Sequence, residues 1–262
     1  AGAGADGTES VLFADLKPYW REWPVVGLAP LVWLLVTFCV PVPGCPTGYL
    51  GPGGWADHGM YFNCTGGSHR AVDAALFGEG HFYDEPTSIV VYNSLTYDPE
   101  GFIGAFNAVL LTYLGLIAGR VLLVHKSDTA RTTRLVVWGA LLLLLGGILC
   151  GFAQDGGVIP VNKNLWSTSF VLVCGGGGFW VLAMFYELVD KRKWWTGRPF
   201  KAVGMNSIVM YSGSEVFADY FPFTFATNRY NHWGILLSNC VGVCVWIYVA
   251  AAMDKRRIYI KI

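Results

Sequence analysis

The side chains best suited to chemistry in this sequence fall in one short run, Val158-Ile-Pro-Val-Asn-Lys-Asn-Leu-Trp-Ser-Thr168. Asn162, Lys163 and Asn164 place two amides and an ammonium directly before a long apolar stretch, with Trp166 beside them. Unpartnered polar groups are costly in hydrocarbon, so such a cluster belongs at a water boundary. Ser167 or Thr168 as a helix cap accounts for part of the polarity, but capping requires neither Lys163 nor two Asn residues. Hydrogen-bond donors beside an aromatic face suit a hydroxylated or sugar ligand. The competing reading is an interfacial anchor, because Trp concentrates at membrane boundaries.

Three further groups carry candidate chemistry. Asp98 and Glu100 put two carboxylates just before an apolar span, where they serve either a substrate or the dipole of the helix that follows. Asn206 and Glu215 interrupt another apolar stretch, about 13 Å apart at 1.5 Å rise per residue, and polar groups inside a span are functional candidates by default. Arg198, Lys201, Arg256, Arg257 and Lys261 form a basic set that fits phosphate binding or simple membrane topology. His58, His69 and His81 share one loop, but their spacing matches no metal motif. They read as solvated loop histidines, and no metal is expected. No Ser-His-Asp order stands out.

The elements that must position these residues follow from composition. The chain has 262 residues, 54% hydrophobic and 14% charged, against about 25% charged in ordinary soluble domains. The expected fold class is an all-α membrane protein, a polytopic bundle of about six transmembrane helices with a large loop on one side. Residues 1–23 form a tail without the basic-then-apolar pattern of a signal peptide. Spans are expected at 24–42, 101–124, 134–153, 167–189 and 233–253, each near the roughly 20 residues that cross a bilayer. A sixth candidate, 202–221, carries Asn206, Ser207, Ser212, Ser214 and Glu215 and reads as a buried or broken helix. Residues 24–262 then make one bundle, and the 43–100 connection, rich in Gly, Pro and aromatics, reads as a folded lid. Gly175–Gly178 and the Gly115/Gly119 pair read as helix-packing positions.

Alternate loops place fourteen Lys and Arg residues on one side and three (Arg70, Lys163, Arg229) on the other. By the positive-inside rule both termini are cytosolic, and the lid and the Asn162–Asn164 cluster share the lumenal side. Two marks agree. Asn63-Cys64-Thr65 is a glycosylation sequon, and Cys45 and Cys64, the two cysteines of the loop, suit a disulfide in an oxidising compartment, the alternative being free thiols. The other cysteines fall within spans and read as packing residues. Zero net charge and no basic patch interleaved with aromatics exclude nucleic acid as a partner.

Taken together, Pro41–Gly54, Asn63–Gly67, Tyr97–Gly101, Ile159–Ser167, Trp195–Gly197, Gly204–Ile208 and Glu215–Phe223 resemble the heparan-alpha-glucosaminide N-acetyltransferase family over nearly all of Pro41–Ile262. The resemblance implies a lysosomal transmembrane enzyme of about eleven spans, of which this chain is the C-terminal half, moving acetyl from cytosolic acetyl-CoA to a terminal lumenal glucosamine of heparan sulfate. The family's proposed catalytic His belongs to the earlier half and has no counterpart here. Ser214 stands where the mammalian pattern has His before Glu-Val-Phe, so no role is carried to that position. The chain by itself is therefore expected to be inactive unless the N-terminal half, or another membrane chain, joins it. On this reading Asn164, Asn206 and Glu215 serve catalysis and Asn162, Lys163, Trp166, Asp98 and Glu100 bind the acceptor. Arg198, Lys201, Arg257 and Lys261 hold the phosphates of acetyl-CoA. The competing reading is a catalytically incomplete half retained as a structural membrane subunit; a weaker one is a transporter. Partners are the lipid bilayer and the absent half, with a homo-oligomer left open.

Overall fold

The computed structural model describes residues 14–154, 156–227 and 231–260. Among them no strand occurs, and the fold is all-helical. The chain divides into two compact units, Ala1–Glu187 and Leu188–Ile262.

The first unit is built on four long helices: α1 (Glu22–Cys39), α4 (Phe102–Val124), α5 (Asp128–Leu149) and α6 (Thr168–Phe185, continued by a π turn through Lys191). Each is long and apolar enough to cross a membrane. α1 packs on α4, α4 on α6, and α5 most extensively on α6. The core between them holds Ile117, Val121, Leu135, Val171 and Phe179. Glycine explains how closely α5 and α6 approach: a Cβ on Gly176 would lie 2.9 Å from the Gly139 carbonyl, and one on Gly146 would lie 3.2 Å from the Val173 amide. Gly175 meets Leu114 in the same way, whereas Gly115, Gly119, Gly177 and Gly178 have no such neighbour. Small residues let backbones meet, and here only part of the glycine run does so.

Between α1 and α4 the 43–100 connection is folded, as expected. It contains α2 (Gly67–Phe77), α3 (Thr87–Tyr92) and two short 3-10 turns. Cys45 and Cys64 form a disulfide, with Cα atoms 5.7 Å apart. At the opposite end of this unit Arg134 pairs with buried Asp15, and Arg120 reaches Glu22 at 2.8 Å. These pairs extend α5 six residues before the expected start at 134, because Asp128, Arg131 and Arg134 find partners within the helix or beside it.

The second unit holds α7 (Phe200–Met205), α8 (Ser207–Val216) and α9 (His232–Lys255). α9 is the fifth helix able to span a membrane. The candidate at 202–221 is a broken helix, as expected: α7 and α8, of six and ten residues, meet at Asn206, and neither is long enough to be counted with the five helices able to span a membrane. α7 and α8 both pack on α9, and Ala202, Met210 and Ala250, one from each helix, form the buried cluster. Of the cysteines read as packing residues, Cys150 is buried, while Cys39, Cys174, Cys240 and Cys244 lie on exposed helix faces. Replacing Gly176 by Leu is expected to force α5 and α6 apart and lower the unfolding temperature in detergent, the cost of overpacking being about 1–3 kcal/mol or more. Gly177→Ala, with no neighbour to meet, is expected to leave that temperature unchanged.

Candidate functional site

The expected polar cluster sits on a turn fastened by side chains. Ser167 caps α6: its Oγ accepts from the Phe170 amide at 3.3 Å and from the Asn162 amide at 3.0 Å, and donates to the Pro160 carbonyl at 2.8 Å. Asn162 donates from Nδ2 to the Leu50 carbonyl at 3.0 Å, and its Oδ1 accepts from the Asn164 amide at 2.9 Å. Both ends of that amide are thus spent, one tying the turn to the 43–100 connection and the other closing the turn on itself. From α4, Asn107 donates to the Trp166 carbonyl at 2.7 Å and to Thr168 Oγ1 at 3.1 Å. From α1, the Trp33 indole donates to the Leu165 carbonyl at 2.9 Å.

This scaffold frames an open cleft of about 970 Å³ between the 46–52 segment, α3 and the 154–164 turn. Lys163 and Asn164 line it with Tyr49, Asp57, Gln154 and Tyr92. Lys163 is exposed, and neither its ammonium nor the Asn164 side-chain amide is engaged among the described residues. Tyr49 donates to Asp57 Oδ2 at 3.1 Å and accepts from the Gly53 amide; burial and the Asp57 carboxylate push its phenol up to about 12. It is a neutral hydrogen-bonding group at every physiological pH. A large cleft lined by neutral polar groups, one ammonium and one carboxylate suits a polar, hydroxylated ligand such as a sugar.

No protein-family model matches the chain. Over 251 residues it is 40% identical to the heparan-alpha-glucosaminide N-acetyltransferase of Mus musculus and 41% identical to that of Homo sapiens. The match covers 95% of this chain and 38% of each relative. The chain is homologous to the C-terminal part of these acetyltransferases. It therefore spans about two fifths of the length of the acetyltransferases it matches.

The other residues suggested by the acetyltransferase resemblance are placed differently. Trp166 is not among the residues lining the cleft; it packs over Gly104 and edge-on to Phe170 at 5.9 Å. Asp98 and Glu100 line a separate cavity of about 400 Å³ at the start of α4. Asp98 Oδ1 accepts from the Glu100 amide at 2.8 Å, closing a turn. The carboxylate lying over the first turn of α4 is instead Asp73, from α2, where a Cβ on Gly101 would collide with its Oδ2. In the second unit Asn206 is fully buried. Its Nδ2 donates to the Ile258 carbonyl at 3.1 Å and its Oδ1 accepts from the Ile260 amide at 3.1 Å, so the amide pins the C-terminal segment. Glu215, Arg198, Lys201 and Arg257 are exposed, and Lys261 lies outside the described residues. Asn63 is exposed, while the hydroxyl of its sequon partner Thr65 accepts from the Leu95 amide.

Sequence reasoning placed His69 among solvated loop histidines, and that is corrected: it is 1% exposed, set edge-on to Trp33 with ring centroids 5.0 Å apart. Its Nε2 lies 2.8 Å from Thr37 Oγ1, whose own proton goes to the Trp33 carbonyl at 2.7 Å. Nε2 must then be the donor, which leaves Nδ1 unprotonated, and Nδ1 has no partner. Burial pushes this imidazole down to about 4. One turn along α2, burial pushes Asp73 up to about 6. Its oxygens face the Phe102 and Ile103 amides without completing a hydrogen bond. The helix spacing of His69 and Asp73, four residues apart, was visible in the sequence; their burial was not.

The two titrations act in opposite directions. His69, depressed on folding, contributes stability that is present above its ordinary value of 6.5 and is lost as pH falls through about 4. Asp73, raised on folding, contributes stability that is present below 3.8 and is lost as pH rises through about 6. Acidification from pH 7 to 4.5 is therefore expected to change the melting temperature of the parent little. Asp73→Asn removes the compensating group, and its melting temperature is expected to fall steeply over the same range, by His69 protonation worth on the order of 3 kcal/mol. Parallel pH profiles for parent and variant would contradict this pairing.

Proposed function

We propose that the chain is the C-terminal part of a transmembrane N-acetyltransferase that moves acetyl from cytosolic acetyl-CoA to the amine of a terminal glucosamine on a lumenal heparan-type glycan. The observation that carries this reading is 40% identity across 95% of the chain to a curated acetyltransferase of that acceptor, joined to a sugar-sized cleft at the polar cluster. The acceptor enters under the 43–100 lid, with Asn164 orienting its hydroxyls and Lys163 meeting anionic groups along the glycan. Asn162 acts through the turn it holds. The amine, once deprotonated, attacks the thioester carbonyl; the C–N bond forms, the C–S bond breaks, and CoA leaves as a thiol carrying the proton that the amine lost.

Polar groups aimed at the developing oxyanion lower the barrier, and Asn164 is positioned at the cleft for that role. A general base is also needed. Among the described residues the cleft lining contains no histidine, and Asp57 is hydrogen-bonded to Tyr49. On this reading the base comes from protein outside these 262 residues, which makes a companion segment or membrane chain the required partner. Anionic CoA stays at the cytosolic face, where the exposed Arg198, Lys201 and Arg257 are our candidates to meet its phosphates, with Lys261 a sequence candidate outside the described residues. Glu215 remains a candidate for a polar role on the path between the faces, whereas Asn206, with both ends of its amide engaged by Ile258 and Ile260, acts through the C-terminal segment it holds. The protein resides in a lysosomal or related endomembrane, both termini cytosolic, with Asn63 glycosylated.

The second reading, a structural subunit that lost catalysis, is favoured by the absence of a base among the described cleft residues. Acetyl transfer from labelled acetyl-CoA to a glucosamine-terminated heparan fragment, in membranes where the chain is joined to its relatives' N-terminal part, separates the two. Asn164→Ala is expected to lower kcat/KM about 10- to 100-fold, and Lys163→Ala to raise KM for the glycan with little change in kcat. Activity unaffected by Asn164→Ala would remove that residue from the site, and no transfer by the parent assembly would favour the structural subunit.

A further inference from the structure

Where α6 ends, the chain becomes strongly basic. The 168–191 stretch is long and apolar enough to cross a membrane, and it closes on the π turn Tyr186–Lys191. Lys191, Arg192 and Lys193 follow one another there, and Arg198 and Lys201 bring the count to five cations in eleven residues. No Asp or Glu occurs between Lys191 and Ser214. Two tryptophans, Trp194 and Trp195, stand directly after the basic triplet.

The backbone keeps this triplet at the end of the span. Lys193 adopts a left-handed φ of 54°, which turns the chain back so that the Trp194 amide donates to the Leu188 carbonyl at 3.0 Å. The two indoles then differ in their surroundings. Trp195 is half-buried; its Nε1 donates to the Arg198 carbonyl at 2.9 Å and its ring meets Phe200 edge-on at 6.1 Å. Trp194 is 71% exposed, with the Arg192 guanidinium 4.7 Å from its ring centroid. Lys191, Arg192 and Lys193 are exposed as well.

Membrane topology explains positive charge on a cytosolic loop. It requires neither a turn that gathers the charges at the end of the span nor an indole left in water. An exposed indole is better placed at headgroup level, where its apolar body and its N–H are both served. Clusters of about four to eight Lys and Arg residues immediately cytosolic of a span attract anionic lipid. A soluble phosphate compound would call for donors converging on one point, whereas these three cations lie exposed on a surface. Their carbon stems and the indole suit the hydrocarbon boundary, and their charges suit the headgroup layer above it.

We propose that the Lys191–Trp194 segment binds anionic glycerophospholipids of the cytosolic leaflet, with the three cations on lipid phosphate and carboxylate oxygens and Trp194 at the headgroup boundary. This binding depends on the cytosolic placement of the loop and not on acetyl transfer. Arg198 and Lys201 are left to the phosphates of CoA.

The test is native mass spectrometry of the full chain, released from micelles doped with equimolar phosphatidylserine and phosphatidylcholine, with thermal shift in the same micelles. The parent is expected to retain phosphatidylserine at least about fivefold over phosphatidylcholine, and Lys191→Gln, Arg192→Gln and Lys193→Gln together to bring that ratio near unity. Trp194→Ser, which removes no charge, is expected to weaken retention of both lipids several-fold, and decides the matter should the triple variant not fold. Arg192→Lys with Lys193→Arg keeps the charge and is expected to keep the ratio of the parent. Equal retention of the two lipids by the parent, an unaltered ratio in the triple variant, or unaltered retention in Trp194→Ser overturns the proposal. So does displacement of phosphatidylserine by millimolar inorganic phosphate or CoA, the mark of a soluble-phosphate site.

Discussion

Residues 160–169 turn the chain at the end of an apolar bundle, and the turn is held by side-chain hydrogen bonds that reach into it, out of it and across it. Asn162 reaches Leu50, Asn107 reaches Trp166, Trp33 reaches Leu165, and Ser167 closes the turn on itself. Away from water an unmade backbone hydrogen bond is expensive, so these contacts fix the turn. Once it is fixed, Lys163 and Asn164 line the cleft together with the 46–52 segment.

This arrangement separates two kinds of polarity that look alike along the chain. Asn162 and Asn164 are two residues apart, yet one is consumed in structure and the other faces the cleft. Asp73 and Asp98 share a cavity although 25 positions divide them, while Asp98 and Lys163 line different ones. The cleft offers amides, hydroxyls, the Lys163 ammonium and the Asp57 carboxylate; the cavity offers carboxylates beside phenyl rings.

Much of this was legible in the residues themselves. Apolar run lengths located the long helices within a few positions, and the polar interruption at Asn206 marked a break. Cys45 and Cys64 paired as the loop composition suggested. What stayed hidden depended on contacts distant in sequence. Asn206 looked like a catalytic candidate because its partners, Ile258 and Ile260, lie more than fifty residues away. His69 looked solvated because burial by Trp33 and Thr37 leaves no local pattern. Asn107 was the detectable omission: an amide inside an otherwise apolar run, the kind of residue that membrane helices keep for a reason. Asp73 gave a weaker signal, a carboxylate one helical turn from a histidine.

Leu50, whose carbonyl receives the Asn162 amide, lies inside the ring closed by Cys45 and Cys64. A covalent loop of 19-residue separation limits how far an open chain can wander, an effect worth about 3 kcal/mol at this size. That single hydrogen bond therefore moors a pre-tied knot rather than a slack strand. The roof over the cleft thus owes its persistence to the electron balance of the surrounding compartment, and thiol-rich surroundings would slacken it without touching one cleft-facing side chain.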